Sequence, residues 1–481
     1  MDARCQDQRH LRGYAADQPD DRRPPHPRLL VEGAVVAGRD IDLAALLARV
    51  PDVREFLTLA ELRADLRALV AAFPAVARLE TVGTSAEGRP IELVTVGHGR
   101  RPVLLAGVPH PNEPIGTLTL RFLCRLLCED DELRARLDVT LYAIPVADPD
   151  GFVLNEGWFK GAFSPLRYAL NYYRPPHREQ VEWSFPVEYK TLRFTTPSPE
   201  TAVLMRVMER VRPAFFYSLH NAGFCGVYFY VSHDRPELYP ALHRLVAAQG
   251  LPLHRGEPEV PYLQTFAPAV YRLFGIDEAY DYFAATLDGD PALVIEAGTS
   301  SDDWLRHVCE AFSLVCELPY YTASALEDLR PAGCNRRDAV LAGAARAEAI
   351  HDECSASFAT IAGHVADHRL TRSVRDYLAK SPKRFAAERA HAAAVEFDRE
   401  ASRAEAFDAT VCKPFYHTLY LGEVYRLAEM VGNRDLARTL EARLAELAAQ
   451  VERESALVVL PLRPLVAVQA GAGLLALGVP G

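Results

Sequence analysis

The chain has 481 residues, of which 49% are hydrophobic and 24% are charged, a composition typical of a globular protein with a full hydrophobic core. Its 64 acidic and 53 basic side chains give a net charge of −11, so we expect neither nucleic acid nor an anionic membrane surface as a partner. A chain of this length has room for about two or three domains of ordinary size.

The first 28 residues are charged and rich in proline, and they lack the apolar stretch of a secretory signal. This composition predicts a disordered arm over residues 1–28, followed by a lead-in segment over 29–51. The nine cysteines are scattered without a CxxC pair, which favours free thiols in a reducing compartment. We therefore expect a cytoplasmic protein.

Helix and strand patterns begin at about residue 52. Residues 54–74 carry leucines at helical spacing, with Thr58 as the predicted N-cap, and Ser198 is the predicted N-cap of a later helix. Residues 77–83 and 89–97 alternate like the two strands of a β-hairpin. The further predicted elements are, in chain order, a strand over 103–108, a helix over 115–137, a strand over 139–146, an irregular stretch over 152–197, a helix over 199–212, a strand over 215–219, a helix over 236–250 and a strand over 291–295.

Short, continuous apolar runs are typical of buried parallel strands, and their alternation with helices indicates an α/β fold. We therefore predict a mixed, largely parallel central sheet flanked by helices over 52–330. Alanine, glutamate and arginine at helical spacing then predict a helical C-terminal region over 331–481. Its last apolar run, 464–481, is rich in glycine and interrupted by Gln469, so we expect a packed terminal segment and not a membrane anchor.

Three of the predicted strands end at a residue that can bind or use a metal ion: VLLAGVP at His110, FFYSL at His220 and PALVI at Glu296. Glu113 follows the first of these by three positions. In open α/β sheets the ligand crevice lies beyond the carboxyl ends of the strands. Two imidazoles and one carboxylate suffice to bind a catalytic zinc and leave one position for water. The pattern therefore predicts a zinc hydrolase.

The spacing HxxE alone does not identify the metal site, because the chain contains it at three places: His110/Glu113, His254/Glu257 and His307/Glu310. Only the first pair follows an apolar strand-like run and precedes a long helix. That context places both side chains in a strand-to-helix turn at the edge of the sheet.

Several segments resemble motifs of zinc carboxypeptidases of the carboxypeptidase A type. The most specific is GTSAEGRPIELVTVG, which resembles the G-x-S-x-E-G-R-P-I hairpin of that family. The resembling segments stand in the family's order: the hairpin (83–97), the first ligand motif HPNEPIG (110–116), the turn DPDGF (148–152), the second ligand segment YSLHNA (217–222) and the glutamate strand VIEAGTS (294–300). The resemblance covers about 52–330 and implies a catalytic domain there.

The resemblance implies a role for each matching residue in a zinc metallopeptidase that acts on a peptide or acyl-amino-acid substrate. His110, Glu113 and His220 would bind one zinc ion per chain. Glu296 would take a proton from the attacking water and deliver it to the leaving nitrogen. Zinc in such sites lowers the pKa of water to about 7 and polarises the scissile carbonyl.

The chain departs from the family in the residues that bind the substrate. The family holds the terminal carboxylate with an Asn-Arg pair, whereas here Asn171 is followed by Tyr172 and Arg174 stands two positions later. The family's arginine beside a tryptophan, which stabilises the oxyanion, is also missing, and Lys160 and Arg167 are the candidates to replace it. Since lysine and arginine differ in bidentate carboxylate recognition, strict carboxypeptidase activity does not follow from the resemblance.

Two further functional residues of the family have no identical counterpart in this chain, and other residues are candidates for their roles. Ala169 stands where the family has an aspartate that orients a ligating histidine, and Asp148 is the candidate to take that role. The family's mobile tyrosine is matched best by Tyr271, with Tyr280 and Tyr282 as alternatives.

Two other functions remain open at this point. A zinc-dependent deacylase of N-acyl amino acids, resembling aspartoacylase and succinylglutamate desuccinylase, would share the metal ligands and the glutamate strand. The GRPI hairpin favours the carboxypeptidase, whereas the interrupted Asn-Arg pair favours the deacylase. The alternative of another class is a non-catalytic binding protein on the same fold. Patterns in the sequence do not determine the oligomeric state.

Overall fold

The structure, a computed structural model, describes residues 42–255, 259–260, 262–286 and 289–478. The predicted disordered arm and most of the predicted lead-in therefore lie outside the described residues. The described residues all belong to one compact unit.

The strands of the described residues form a central sheet of ten strands and two small two-stranded sheets, β5 with β6 and β12 with β13. Their bounds are β1 (Ala77–Thr84), β2 (Pro90–Val96), β3 (Arg101–Gly107), β4 (Val139–Ile144), β5 (Val187–Tyr189), β6 (Leu192–Phe194), β7 (Phe215–Phe224), β8 (Tyr228–Val231), β9 (Thr265–Ala267), β10 (Val270–Arg272), β11 (Phe312–Thr322), β12 (Pro331–Asn335), β13 (Glu400–Ser402) and β14 (Val458–Val459).

The central sheet has the order β1-β2-β4-β3-β7-β11-β8-β10-β9, and β14 pairs with the end of β11. Its four middle strands, β4, β3, β7 and β11, run parallel to one another. Antiparallel pairs flank them on both sides. The predicted fold class, an α/β protein with a mixed, largely parallel sheet, is confirmed.

Helices cover both faces of the sheet and make up most of the C-terminal third. Their bounds are α1 (Leu43–Ala48), α2 (Leu59–Ala72), α3 (Ile115–Glu129), α4 (Asp131–Leu137), α5 (Pro149–Asn155), α6 (Pro165–Asn171), α7 (Pro199–Val211), α8 (Tyr239–Ala248), α9 (Ile276–Thr286), α10 (Ser301–Leu305), α11 (Arg336–Ile361), α12 (Arg369–Ala392), α13 (Arg403–Phe407), α14 (Lys413–Met430), α15 (Arg434–Ser455) and α16 (Leu462–Gly478).

Local sequence signals account for several helix ends. Thr58 caps α2 in a capping box with Glu61, and Ser198 caps α7, both as predicted. The single helix predicted over 115–137 is instead two helices, because the Asp130 side chain accepts a hydrogen bond from the Leu133 amide and starts α4. The stretch predicted as irregular contains α6 and the β5–β6 hairpin.

The side chains of β3 show how the sheet is buried on both faces. Val103 and Leu105 belong to the large core under α3 and α16, whereas Leu104 and Ala106 belong to a second core under α7. Because both faces are covered, the strand reads as a continuous apolar run and not as an alternating one. The helices do not cover the carboxyl ends of the parallel strands, and a cavity lies there.

The C-terminal helices pack directly on the α/β half. A Cβ atom at Gly422 of α14 would lie 1.8 Å from the carbonyl oxygen of Ala169, so only glycine permits this approach of α14 to α6. The predicted packing of the last apolar segment is confirmed for its described part, since α16 is almost fully buried against α3 and β7. Among the described residues, no helix is both long and apolar enough to cross a membrane.

A buried ion cluster ties α12 to the α/β half. The Arg369 guanidinium lies 2.9 Å from Asp150 Oδ2 and 3.1 Å from Glu200 Oε1, and it also contacts Asp148 at 3.5 Å. Asp150 accepts a 2.7 Å hydrogen bond from the Ser85 hydroxyl in the turn of the β1–β2 hairpin. The hairpin motif and the DPDGF turn, separate in sequence, therefore meet around one arginine from the C-terminal region.

Candidate metal centre

A sharp turn after β3 presents the first two predicted metal ligands. The strand ends at Gly107, and Val108 then adopts a left-handed backbone conformation with φ of 56°, which β-branched residues rarely adopt. His110 and Glu113 follow in the turn before α3. The third predicted ligand, His220, lies within β7, which pairs with β3 in parallel.

These three side chains converge on one point. One potential ligand atom from each of His110, Glu113 and His220 lies within 4.8 Å of the others, and all three residues are buried. Glu113 Oε2 lies 3.0 Å from His220 Nδ1, and the two imidazole centroids are 5.1 Å apart. The predicted convergence of these residues is confirmed, and the group could hold a metal ion.

The chemistry of the donors fits a metal dication. His110 Nδ1 is buried and has no hydrogen-bond partner among the described residues. A buried imidazole nitrogen normally has a partner, and zinc accepts the lone pair of a neutral imidazole. Burial lowers the pKa of His110 well below its ordinary value, with a further contribution from the charge of Arg174, so this imidazole is neutral, as a ligand must be.

The surroundings of His220 attract positive charge. Burial by itself would lower the pKa of His220, but the hydrogen bond to Glu113 and the charges of Glu317 and Glu182 raise it to about 9. This pocket of carboxylates therefore stabilises a cation beside His220. A metal dication would replace the proton that His220 otherwise binds.

Glu317 is the buried carboxyl group beside the ligand cluster. It lies in β11 directly opposite His220 of β7, and its Oε1 is 3.7 Å from His220 Nδ1. Its Oε2 is buried without a hydrogen-bond partner among the described residues. Burial raises the pKa of Glu317 well above its ordinary value, against the opposing effect of His220. A carboxyl group in this state can both accept and donate a proton near the metal ligands.

Ser218 and Glu182 support the other side of the His220 ring. Ser218 Oγ lies 2.9 Å from His220 Nε2 and 3.2 Å from Glu182 Oε2. The second Glu182 oxygen accepts hydrogen bonds from the amide and hydroxyl of Ser301. Since Nε2 is engaged in this way, Nδ1 is the nitrogen that faces Glu113 and the metal position.

The cluster opens into a cavity of about 1460 Å³. Its walls combine the cluster and Glu317 with many tyrosines of the α/β half and with residues of α11, α12 and α14. Arg174 lies on this wall, and its Nη1 is 2.9 Å from Glu113 Oε1. The Arg174 backbone is held from the C-terminal region, since its carbonyl accepts a 2.9 Å hydrogen bond from Ser373 Oγ and its amide contacts Glu423 Oε1 at 3.4 Å.

Glu423 leads to a prediction about pH. Burial raises its pKa from the ordinary 4.5 to about 8, so the protonated carboxyl is favoured in the folded protein. The free energy of unfolding should therefore fall as the pH rises from about 5 to 8. Glu423→Gln imitates the protonated form, so we expect the variant to be close to the wild type near pH 5 and to be more stable by about 4 kcal/mol at pH 9, since one pKa unit corresponds to about 1.4 kcal/mol. Denaturant titrations at both pH values test this, and an equal difference at both would contradict it.

The predicted substrate-binding residues divide into two groups. Arg174 and Tyr271 line the cavity. Asn171 and Arg167 are not among the described residues that line it. The Asn171 side-chain amide donates to the Arg167 carbonyl, and Arg167 Nε donates to the Gly157 carbonyl. The expected pairing of Asn171 with Arg174 at a substrate carboxylate is therefore not formed.

The remaining candidate residues also differ in whether they lie near the ligand cluster. Lys160 forms a 2.6 Å ion pair with Glu61 on the outside of α2, whereas Tyr282 lines the cavity. Asp148, the candidate to orient a ligating histidine, instead accepts hydrogen bonds from the Gly151 amide and from Arg369. Its burial raises its pKa to about 6.

The prediction of a strand over 291–295 is wrong. Pro291–Leu293 form a 3-10 turn that starts at Asp290, whose side chain accepts a hydrogen bond from the Ala292 amide. Leu293 and Val294 are exposed, whereas Ile295 is buried in a small hydrophobic cluster. The Glu296 side chain is 48% exposed and forms a 2.8 Å ion pair with Lys380 of α12. It is not among the described residues that line the cavity, so the structure does not bring Glu296 to the ligand cluster.

Glu317, Glu182 and Ser218 were not identified from the sequence. For Glu317 a signal is present, because FSLVC (312–316) is an apolar run followed by a glutamate, like the three runs that precede His110, His220 and Glu296. The signal does not stand out, because the residues after Glu317, LPYY, continue the apolar pattern. Ser218 and Glu182 carry no comparable signal, since their roles depend on contacts between distant segments.

Comparisons with known proteins agree with this geometry. The sequence model of one family, described as zinc carboxypeptidase, matches residues 62–319. No curated protein sequence matches the chain significantly.

Similar solved structures include the following three proteins. Carboxypeptidase A from Helicoverpa armigera is 17% identical, with a TM-score of 0.35, and the match covers 58% of this chain and 69% of that one. A metallo-carboxypeptidase from Burkholderia cenocepacia is 17% identical, with a TM-score of 0.31 and coverage of 55% and 60%. A candidate metallopeptidase from Shewanella amazonensis is 16% identical, with a TM-score of 0.37 and coverage of 54% and 84%.

Proposed function

Because the chain belongs to the zinc carboxypeptidase family, we propose that it is a zinc-dependent hydrolase that cleaves a peptide or amide bond next to a free carboxylate. The observation that carries this proposal is the position of Glu317, a buried carboxyl group 3.7 Å from the His220 nitrogen that faces the metal position. A carboxyl group buried at this distance from the metal position is placed to transfer protons to and from a metal-activated water, a function that a protein which only binds its ligand does not require.

Each residue then has a defined task. His110, Glu113 and His220 would hold the zinc ion, which supplies the Lewis acidity that activates water and polarises a carbonyl group. Glu317 accepts the proton of the attacking water and passes it to the leaving nitrogen. Its raised pKa suits this second step, because burial favours the protonated carboxyl group that donates to the leaving nitrogen.

Glu317 takes the role that the sequence motif suggested for Glu296. The two glutamates differ in burial and in their partners: Glu317 is 8% exposed and faces His220, whereas Glu296 is half exposed and paired with Lys380. A general base must lie within hydrogen-bonding reach of the water it deprotonates. Only Glu317 of these two shares a cavity with the ligand cluster.

Arg174 is the cationic group proposed to bind the substrate. Its guanidinium lies on the cavity wall and contacts Glu113, the carboxylate ligand. A guanidinium can bind a carboxylate through two parallel hydrogen bonds. We therefore assign the substrate carboxylate, or the carbonyl oxygen that gains charge during the reaction, to Arg174.

The second candidate, a deacylase of N-acyl amino acids, is favoured by one observation. Asn171, the expected partner of Arg174, is not among the described residues that line the cavity, and its side-chain amide donates to the Arg167 carbonyl. A mass-spectrometric screen of the zinc-loaded protein against C-terminally free peptides, C-terminally amidated peptides and acyl-amino acids separates the two. Cleavage of acyl-amino acids alone would favour the deacylase.

Zinc binding gives a direct test of the site. We expect dialysed wild-type protein to retain one zinc ion per chain and His220→Ala to retain almost none, because two donors leave the ion weakly bound. His307→Ala is the matched control, since His307 belongs to another HxxE pair and is exposed. Elemental analysis by mass spectrometry measures the metal content. Wild-type protein that never retains zinc would overturn the proposed function.

The expected location and partners follow from composition alone. A cytoplasmic location stays a prediction from the cysteine pattern and the first 28 residues. The absence of nucleic acid and membrane partners also stays a prediction, drawn from the net charge of −11.

A further inference from the structure

Gln469 is a buried polar residue in the otherwise apolar helix α16. It is fully buried, and the helix around it consists of valine, alanine, glycine and leucine. Its side-chain Nε2 donates to the carbonyl oxygens of His220 at 3.1 Å and Cys316 at 3.3 Å. Its Oε1 accepts a 2.8 Å hydrogen bond from Thr119 Oγ1. The residue that interrupts the C-terminal apolar run therefore contacts the backbone of a metal ligand.

The chemistry of these contacts determines how the amide is oriented. A carbonyl oxygen only accepts hydrogen bonds, so the two carbonyls of His220 and Cys316 require the NH₂ group, which has two protons to donate. The amide oxygen is then left for the hydroxyl of Thr119. All three hydrogen bonds form at the same time. An apolar side chain could not form the two hydrogen bonds to the carbonyl groups of the sheet.

The two carbonyls belong to neighbouring strands at the centre of the site. His220 lies in β7, and Cys316 immediately precedes Glu317 in β11. His220 and Glu317 are direct partners in the β7–β11 ladder. One side-chain amide therefore holds the backbone of a metal ligand and the backbone that carries the general base.

An apolar residue could occupy position 469 if the only role of this side chain were to pack against its neighbours. Burying an amide costs free energy unless its hydrogen bonds are formed, and the neighbouring helical positions, such as Val468 and Ala470, are all apolar. The residue also lies far outside the matched family region, 62–319, so the support comes from a part of the chain that the family match does not cover.

We propose that Gln469 is a positioning residue that sets the placement of His220 and Glu317 relative to each other, so that the C-terminal helix α16 is part of the working site. The inference rests on the proposed function, in which these two side chains bind zinc and transfer a proton. Gln469 touches neither substrate nor metal, and it acts through the two backbone carbonyls.

The test compares three variants of the full chain. Gln469→Met keeps the length and volume of the side chain but removes both donors. Thr119→Val removes the partner of the amide oxygen and leaves both donors in place. Leu475→Ala removes a buried side chain from the same helix and controls for a general loss of packing.

Zinc affinity, measured by competition with a chromophoric chelator, is the first readout. We expect Gln469→Met to weaken zinc binding by about 10–100-fold, the usual effect of losing support behind a metal ligand. Thr119→Val should change the affinity by less than about threefold, and Leu475→Ala should lower the melting temperature without changing the affinity, because neither alters the donors. The absorption spectrum of the cobalt-substituted protein should shift only in Gln469→Met.

The second readout is kcat at saturating zinc. It should fall about tenfold in Gln469→Met, with KM nearly unchanged, because Glu317 is displaced while the substrate wall is intact. Gln469→Glu keeps the size of the side chain and can donate at most one hydrogen bond. Its zinc affinity and kcat should therefore lie between those of Gln469→Met and the wild type. This variant replaces Gln469→Met in the test if Gln469→Met does not fold.

Two outcomes would overturn the inference. One is a Gln469→Met protein with unchanged zinc affinity, cobalt spectrum and kcat. The other is a Leu475→Ala protein with the same losses as Gln469→Met. A wild-type protein that binds no zinc would instead overturn the proposed function, so the two failures are distinguishable.

Discussion

Replacing Glu317 with glutamine should abolish hydrolysis while the zinc ion stays bound. The glutamine keeps the size of the side chain but cannot take a proton from water or return it to a leaving nitrogen. General acid–base catalysis contributes about 10²–10⁴-fold to enzymatic rates, so we expect kcat to fall by about 10³-fold. The measurement is the initial rate on the best substrate of the screen, together with the zinc content of the same preparation.

Glu296→Gln is the matched control for this experiment, since it makes the same chemical change at the exposed glutamate paired with Lys380. We expect its kcat to stay within about twofold of the wild type, because surface changes away from the site have small effects. The opposite result, an active Glu317→Gln and an inactive Glu296→Gln, would return the general-base role to Glu296.

Replacing Arg369 with methionine should have the largest effect on stability. The guanidinium is 8% exposed and is surrounded by Asp148, Asp150 and Glu200 at 2.9–3.5 Å. Methionine fills part of the volume but leaves these carboxylates buried without their shared counter-charge. Removing one partner of a buried ion pair typically costs about 3–5 kcal/mol, and we expect a loss of this size in the free energy of unfolding.

The loss should also depend on pH. The charge of Arg369 lowers the pKa of Asp148 and of Asp150, so its removal should raise both pKa values, and protonation at low pH should relieve part of the cost. We therefore expect the stability difference from the wild type to shrink between pH 7 and pH 5, as measured by denaturant titration. Arg403→Met, which removes an exposed arginine paired with Asp328, is the control and should change stability by less than about 0.5 kcal/mol. An Arg369→Met protein as stable as this control would contradict the prediction.

Local patterns were sufficient for much of the fold. The capping residues Thr58 and Ser198, the β1–β2 hairpin and the apolar strands β3, β4 and β7 could be predicted because short-range signals determine them. The prediction of a strand at 291–295 was wrong because the short-range signal there was ambiguous. An apolar pentapeptide has no periodicity of its own, and the local turn chemistry of Asp290 and Pro291 decided the outcome.

The sequence by itself determined which three residues form the candidate metal site. His110 and Glu113 share one strand-to-helix turn, and His220 lies in a recognisable apolar strand, so their convergence follows from the parallel arrangement of the strands. The proposed general base and the proposed support of the site were decided only by the tertiary structure. Glu317 lies beside the site because β11 pairs with β7, and Gln469 contacts it because α16 packs beneath both strands. Contacts between segments so far apart along the chain leave no periodic signal in either one.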